Sequence, residues 1–425
     1  MTNIKEIKSD LLNEKYYEID HASGLKIFVY PKENFNSSYA IFGTKYGSVD
    51  NKFKSEDKDE ITKVPEGIAH FLEHKLFESE ELDAFSRYAE TGASANAYTT
   101  FDRTCYLFSC SGDIEPSLEI LLDFVSNPYF TVETVEKEQG IIGQEIKMTN
   151  DEPGWASLFS LLKAVYHTHP VKIDIAGTVE SIAEITPELL YECYNTFYNY
   201  HNMALAVVGN VTPKQVISVA DKVLKDLPAK KVERIFDDEP ETVVTDYTEC
   251  IREVSMPIFA IGFKEKYDEN ADVIKTTLES QIMLEIIVGS TSDLYEKMIE
   301  KKYITSSIDS EYLLGPGYGL HIFSGESEHY DEIRKMLNNE IKRLKAEGVD
   351  REDFDRIKRA IIGHVIMTYN STNLIANELI LSHFYGYNIF DELSAIEKIT
   401  VEDIDKRIRD TLVETNSSMS VVKAK

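Results

Sequence analysis

Ile182-Ala-Glu-Ile185-Thr186-Pro-Glu-Leu-Leu190 returns later in the chain as Ile396-Glu-Lys-Ile399-Thr400-Val-Glu-Asp-Ile404, a spacing of 214. This recurrence decides how the rest is read. Carried forward without a gap, the same spacing lays Asn202-Met-Ala-Leu-Ala-Val207-Val208 over Asn416-Ser-Ser-Met-Ser-Val421-Val422, so register holds across a helix and the strand after it. Upstream, Ile141-Ile142-Gly143 matches Ile361-Ile362-Gly363 at a spacing of 220, and Phe42-Gly43 resembles Ile261-Gly262 at 219. Self-similarity at a nearly fixed spacing means repeated structure. Two homologous halves, each of about 200 residues, are the simplest account.

The joint falls between Pro228 and Cys250, where Lys230-Lys231 and Asp237-Asp238-Glu239-Pro240 interrupt any apolar period. The expected organisation is a first half over residues 1–228, a linker over 229–250 and a second half over 251–425. Alternating runs such as Leu25-Lys-Ile27-Phe-Val29-Tyr and Thr104-Cys-Tyr106-Leu-Phe108-Ser read as strands, and Glu133 to Met148 and Asp331 to Glu347 carry helical periodicity. The mixture is α+β. Runs parted only by short turns, Ala95 to Thr100 and Thr104 to Ser109, predict antiparallel pairs.

Composition narrows the function classes. The 425 residues hold 45 Lys+Arg against 74 Asp+Glu, a net charge of −29, which gives no electrostatic basis for binding nucleic acid. A basic peptide would be attracted instead. No run approaches the roughly 18 apolar residues that span a bilayer, so no membrane insertion is expected. Met1 to Tyr17 has neither the apolar core of a secretion signal nor a transit composition, and no leader is expected. Four cysteines, Cys105, Cys110, Cys193 and Cys250, lack metal-binding spacing and fit reduced thiols, which points to a cytoplasmic protein.

The chemistry concentrates in the first half. Gly67-Ile-Ala-His70-Phe-Leu-Glu73-His74-Lys-Leu-Phe77 spells His-x-x-Glu-His. On a helix, residues at i, i+3 and i+4 share one face, so two imidazoles converge with a carboxylate beside them. Catalytic zinc commonly takes three protein ligands and a water, and this spacing is the inverse of the zincin motif. Glu73 would then be the general base. A third ligand must come from another element. On a helical wheel, Ile141, Ile142, Val135 and Ile146 form one apolar stripe, and Glu138 and Glu145 both fall inside it. Both acids are thus expected to face the core, where a carboxylate needs a cation, either a bound metal or a buried Lys or Arg. At a spacing of 220 they fall on Lys358 and Val365, so the second half keeps the helix and loses both acids. Its counterpart of the histidine helix, Gln281-Ile-Met-Leu284-Glu285-Ile286-Ile287, holds no histidine.

With these residues in hand, the sequence resembles the pitrilysin/insulinase zinc peptidases, the inverzincins, most closely their shorter bacterial, processing-peptidase-like branch. The resemblance covers nearly the whole chain. It rests on His70-x-x-Glu73-His74, on Glu138 and Glu145, and on Gly92-Ala-Ser-Ala-Asn96-Ala97-Tyr98-Thr99. It implies that His70, His74 and Glu145 bind one Zn²⁺, that Glu73 activates a zinc-bound water, and that Glu138 orients the metal site. The implied fold is two homologous α+β halves, each a largely antiparallel sheet with helices packed on one face, and two such units enclosing a peptide chamber.

The expected function is zinc-dependent endopeptidase, the substrate held extended along Ala95-Asn96-Ala97-Tyr98, an alternating run able to accept a peptide as an added strand. A noncatalytic peptide-binding or scaffold subunit of a heteromeric peptidase is the alternative. One departure bears on partners. Active family members present an Arg and, seven residues on, a Tyr that stabilise the oxyanion, and here Ile299 and Ser306 stand at those positions. The expected partner is a paralogous subunit supplying that pair, otherwise a second copy of this chain. Elsewhere, His167-Thr-His169-Pro170 places its histidines on opposite sides of an extended segment, against a second metal site. Tyr191, Tyr194, Phe197, Tyr198 and Tyr200 read as core, and Leu314 to Gly319 as a turn joining two strands.

Overall fold

The computed structural model describes residues 2–80 and 82–425. The chain divides into two compact units, and neither is a single stretch of sequence. The first takes residues up to Ile146, then Asp174–Ile235 and Ile366–Asp391; the second takes Lys147–Ile173, Phe236–Val365 and Glu392–Lys425. The main change of unit falls between Ile235 and Phe236, inside the 229–250 stretch.

The strands of the first unit are, in chain order, β1 (Asn3–Ser9), β2 (Glu14–Asp20), β3 (Lys26–Pro31), β4 (Ser38–Thr44), β5 (Lys52–Ser55), β6 (Thr62–Lys63), β7 (Ser94–Thr99), β8 (Thr104–Cys110), β9 (Met203–Gly209) and β10 (Val232–Arg234). Seven form one sheet in the order β1-β2-β3-β9-β4-β8-β7, and β10-β5-β6 form a small second one. The second unit holds β11 (Tyr247–Arg252), β12 (Ile258–Glu265), β13 (Asp309–Gly315), β14 (Tyr318–Glu326) and β15 (Ser417–Ala424), ordered β11-β15-β12-β14-β13. Each large sheet is antiparallel except at one matching pair, β3 with β9 and β11 with β15.

The duplication is visible in the ladders. Phe42 of β4 lies between Leu205 and Tyr106, as Ile261 of β12 lies between Met419 and Phe323. Five strands of the first sheet thus recur in the same order and register in the second, and the edge strand β7 has β13 as its counterpart.

In both sheets helices lie against one face, and the opposite face carries a helix taken from the other half of the sequence. In the first unit Phe42, Leu205 and Val207 point into the core shared with helices Ile68–Leu76 and Glu115–Ser126. Helix Thr372–Tyr385 packs against the reverse side of β4 and β9. Every residue of β9 is buried as a result, which is why Met203 to Val208 reads as an unbroken apolar run. In the second unit helix Pro153–Val165 packs in the same way on β11, β12 and β15. Close approach explains the matched glycines. A Cβ on Gly43 would lie 3.0 Å from Ile380 Cγ2, and one on Gly262 3.1 Å from Leu161 Cδ2.

The 229–250 stretch is structured. Arg234 of β10 donates to the buried Asp50 at 2.7 Å. Farther on, Glu239 accepts from the backbone N–H of His167, Thr168 and His169 at 2.9, 2.7 and 2.8 Å and from Lys264 Nζ at 2.5 Å. His169 uses both ring nitrogens inside the fold, Nε2 towards the Pro316 carbonyl at 2.9 Å and Nδ1 accepting from Val171 N–H at 3.1 Å. Pro316 and Gly317 join β13 to β14 as a tight hairpin turn. Phe197, Tyr198 and Tyr200 are buried, Tyr191 and Tyr194 pack against the same core, and Phe197 stacks on Tyr46. All four cysteines are free thiols. No described helix is long and apolar enough to cross a membrane.

Candidate active site

His70, Glu73 and His74 lie on helix Ile68–Leu76, whose other face, Ile68, Ala69, Phe71, Leu72 and Leu76, is core. The helix opens at Gly67 with φ of 86°, and a Cβ there would meet the Ala176 carbonyl oxygen at 2.3 Å. Only glycine suits both the left-handed backbone and that approach. Ser181 Oγ, donating to the Glu66 carbonyl at 2.9 Å, fastens the same entry.

Helix Val132–Asp151 brings the acids. Val135, Glu138, Ile142, Gly143 and Ile146 are its buried residues, while the Glu145 side chain is 43% exposed. Glu138 lies inside the stripe as expected, but Glu145 stands at its rim, because Ile141 on that side is 48% exposed and the apolar face is narrower than the wheel suggests. Glu145 Oε1 lies 3.6 Å from His70 Nε2, and its Oε2 lies 3.5 Å from His74 Nε2. One ligand atom from each of His70, His74 and Glu145 falls within 4.8 Å of the others, a grouping able to hold a metal ion. Glu138 Oε1 lies 3.0 Å from His74 Nδ1. A proton on Nδ1 shared with Glu138 leaves the Nε2 lone pair turned towards Glu145, the arrangement in which a carboxylate orients a metal-ligating imidazole.

Electrostatics divide the two histidines. Burial, with His74 beside it, pushes His70 down to about 3, so its ring is neutral and ready to ligate. For His74 burial works against the charged form, and the Glu138 hydrogen bond with the charges of Glu145 and Glu73 outweighs it, so its pKa is raised. Burial likewise opposes ionisation of Glu138, but the bond to His74 leaves its pKa lowered. Glu73 is 8% exposed, and burial holds its pKa above the usual carboxylate range. Two imidazoles and a carboxylate, with an acid behind one imidazole, suit Zn²⁺ in ligand type and number. His70 turns Nε2 to Glu145, and its Nδ1, on the other side of the ring, is buried without a hydrogen-bond partner among the described residues.

Ala95, Asn96, Ala97 and Tyr98 lie on β7, the edge of the large sheet, which among the described residues pairs only with β8. Asn96 Oδ1 accepts from the Ala97 N–H at 2.9 Å, and Tyr98 OH donates to Asn377 Oδ1 at 2.7 Å. Sequence reasoning stopped at Tyr98 and missed Thr99, whose Oγ1 donates to Glu73 Oε2 at 2.6 Å. Its signal was the alternation itself: Ala95 and Ala97 pack on the core beside helix Ile68–Leu76, and Thr99 is next on that face.

One reading needs correction. The buried positions Val135, Glu138 and Ile146 match Phe354, Ile357 and Val365 of helix Arg351–Thr368, a spacing of 219 rather than 220. Glu138 is thus replaced by Ile357 and Glu145 by His364. Lys358 instead corresponds to Gln139, and both donate to equivalent carbonyls, Ile399 and Ile185. A repeated Ile-Ile-Gly was a weaker guide than the buried stripe. Ile299 lies on helix Asp293–Glu300 and Ser306 beyond it, both in the second unit.

Duplicated α+β halves with a cluster of two imidazoles and a carboxylate define a class shared with known peptidases. Residues 60–179 match the family description "Insulinase (Peptidase family M16)", and residues 184–361 match "Peptidase M16 inactive domain". A Bacillus subtilis protein described as an uncharacterized zinc protease, YmfH, is 40% identical over 416 residues, 96% of each chain. A solved structure from Alicyclobacillus acidocaldarius, described as M16-like, has 32% identity and a TM-score of 0.92, covering 100% of this chain and 99% of that one. Pitrilysin shares the fold at 16% identity and a TM-score of 0.78, the match covering 100% of this chain and 47% of pitrilysin. The chain belongs to the insulinase family of peptidases, family M16.

Proposed function

We propose that the chain is a zinc-dependent endopeptidase that hydrolyses peptides or small unfolded polypeptides. The observation that carries this reading is the convergence of His70, His74 and Glu145, one ligand atom of each within 4.8 Å of the others, with Glu73 on the same helix as the two histidines. His70, His74 and Glu145 would hold Zn²⁺, which when bound supplies Lewis acidity for activating water and polarising a carbonyl. Glu73 takes the proton of the attacking water and returns it to the leaving amine. Glu138 keeps the His74 ring turned and its Nδ1 protonated. Peptide main chain adds to the free edge of β7 along Ala95 to Tyr98, which fixes the scissile bond with little demand on sequence.

The residues at Ile299 and Ser306 favour a companion reading. Ile299 has no donor and Ser306 offers only a short hydroxyl where a Tyr would reach, and loss of an oxyanion donor costs on the order of 10² to 10³ in rate. A paralogous subunit would supply the pair, otherwise a second copy of this chain. The test is cleavage of a mixed quenched-peptide library by the zinc-loaded chain, beside Glu73→Gln and a chelated sample. Cleavage lost in both controls supports the peptidase. Cleavage that persists in Glu73→Gln would sink the assignment of the base, and full-rate turnover by the chain alone would remove the need for a paralogue.

A further inference from the structure

Glu73 has a single hydrogen-bond partner among the described residues. Thr99 Oγ1 holds its Oε2 at 2.6 Å, and Oε1 is left for another proton. The hydroxyl is itself held in place. Thr104 Oγ1 lies 3.3 Å from Thr99 Oγ1 and donates its own proton to the Tyr46 carbonyl at 2.9 Å. The Thr99 proton therefore has two destinations, and the shorter one, to a carboxylate, prevails. Thr99 is β-branched and ends a strand, so its side chain has few alternatives.

The same residue stands at the open edge. The hairpin closes with Thr100 N–H donating to the Arg103 carbonyl at 2.8 Å. Bonded pairs alternate in an antiparallel ladder, so Tyr98 with Cys105 and Asn96 with Leu107 carry the bonds, and Ala95, Ala97 and Thr99 turn their N–H and C=O outward. The Asn96 side chain reaching the Ala97 N–H fits that assignment.

We propose that Thr99 is a positioning residue that couples substrate to base: its main chain meets the added peptide strand while its hydroxyl fixes Glu73 with one oxygen free. This rests on the peptidase reading above. A displaced base loses rate steeply, since about 1 Å of misplacement can cost 10²-fold.

The experiment compares wild type, Thr99→Val, Thr99→Ser and Glu73→Gln, each measured for kcat, KM, zinc affinity by chelator competition, thermal midpoint and the visible spectrum of the cobalt-substituted protein. Valine keeps the shape and removes the hydroxyl; serine restores the hydroxyl. Thr99→Val is expected to lower kcat by about ten- to a hundredfold with KM, zinc affinity and midpoint within about twofold or a few degrees, and Thr99→Ser to recover most of it. The cobalt spectrum of Thr99→Val should move towards that of Glu73→Gln, with Thr99→Ser like wild type. An unchanged kcat in Thr99→Val, or a fall tracking lost metal or lost fold, overturns the proposal. If wild type alone cleaves nothing, the oxyanion pair must come from a partner subunit or the peptidase reading fails, and in either case the cobalt spectra alone decide Thr99: a shift towards Glu73→Gln supports it, and identity with wild type overturns it.

Discussion

Glu138 contacts His74 at Nδ1, away from the Nε2 that faces Glu145, so its effect is separable from that of Glu73. Replacing it by Gln keeps an acceptor near His74 Nδ1 and removes the charge that favours the protonated Nδ1. Metal affinity is expected to fall by about 10- to 100-fold, read by chelator competition, with the fold intact. Glu73→Gln should do the reverse, retaining metal and losing about 10²- to 10⁴-fold in kcat. The motif His-x-x-Glu-His was legible because helical spacing alone puts its three residues on one face. Glu138 was legible as an acid among apolar neighbours, and its burial agrees. Which acid sits beside both imidazoles was not legible from the wheel, where the two differ by only about 20°. The rim position of Glu145 depends on how the helix docks. Thr99 escaped because a threonine closing a strand has a good structural reason to be there without any partner.

At the scale of elements, two contacts invite tests. Valine at Gly43 would press on Ile380 Cγ2 and Cys105 Sγ, both 3.0 Å from the added Cβ. The expected cost is about 1–3 kcal/mol, measured by urea unfolding, because backbone and helix Thr372–Tyr385 must part. Gly262→Val should behave alike against Leu161. The second contact is the carboxylate of Glu239. Burial opposes its ionisation, and the Lys264 bond with the three backbone N–H donors outweighs that, holding it down to about 2. The folded pKa lies below the unfolded one of about 4.3, so this stabilisation is fully present above about pH 5 and fades as pH falls towards 2. Glu239→Gln should therefore unfold more easily than wild type at pH 7, by about 3 kcal/mol, and the gap should narrow steadily below pH 5. Sequence made 229–250 look like a bare connector because its charges break every period. What organises it is Glu239 reaching three amides some seventy residues earlier, a pairing that no local pattern encodes.

For the whole molecule, the repeat predicted two halves and could not predict the exchange of helices, since Pro153–Val165 and Thr372–Tyr385 look the same in sequence whichever sheet they cover. A fragment of residues 1–235 keeps the first large sheet and lacks the helix on its reverse side. Expressed alone, it should be aggregated or bind hydrophobic dyes strongly, and co-expression with 236–425 should restore a soluble, cooperatively unfolding species. A soluble, well-folded 1–235 would show the borrowed helix to be dispensable. The exchange also sets a clock on synthesis. A ribosome adding about 5–20 residues per second needs roughly 8–30 s to pass from Ile235 to Asp391. Throughout that interval the nascent first sheet waits with one apolar face bare, so slowing synthesis over residues 236–391 is expected to raise the share of newborn chain lost to aggregation, while the mature protein's stability stays the same.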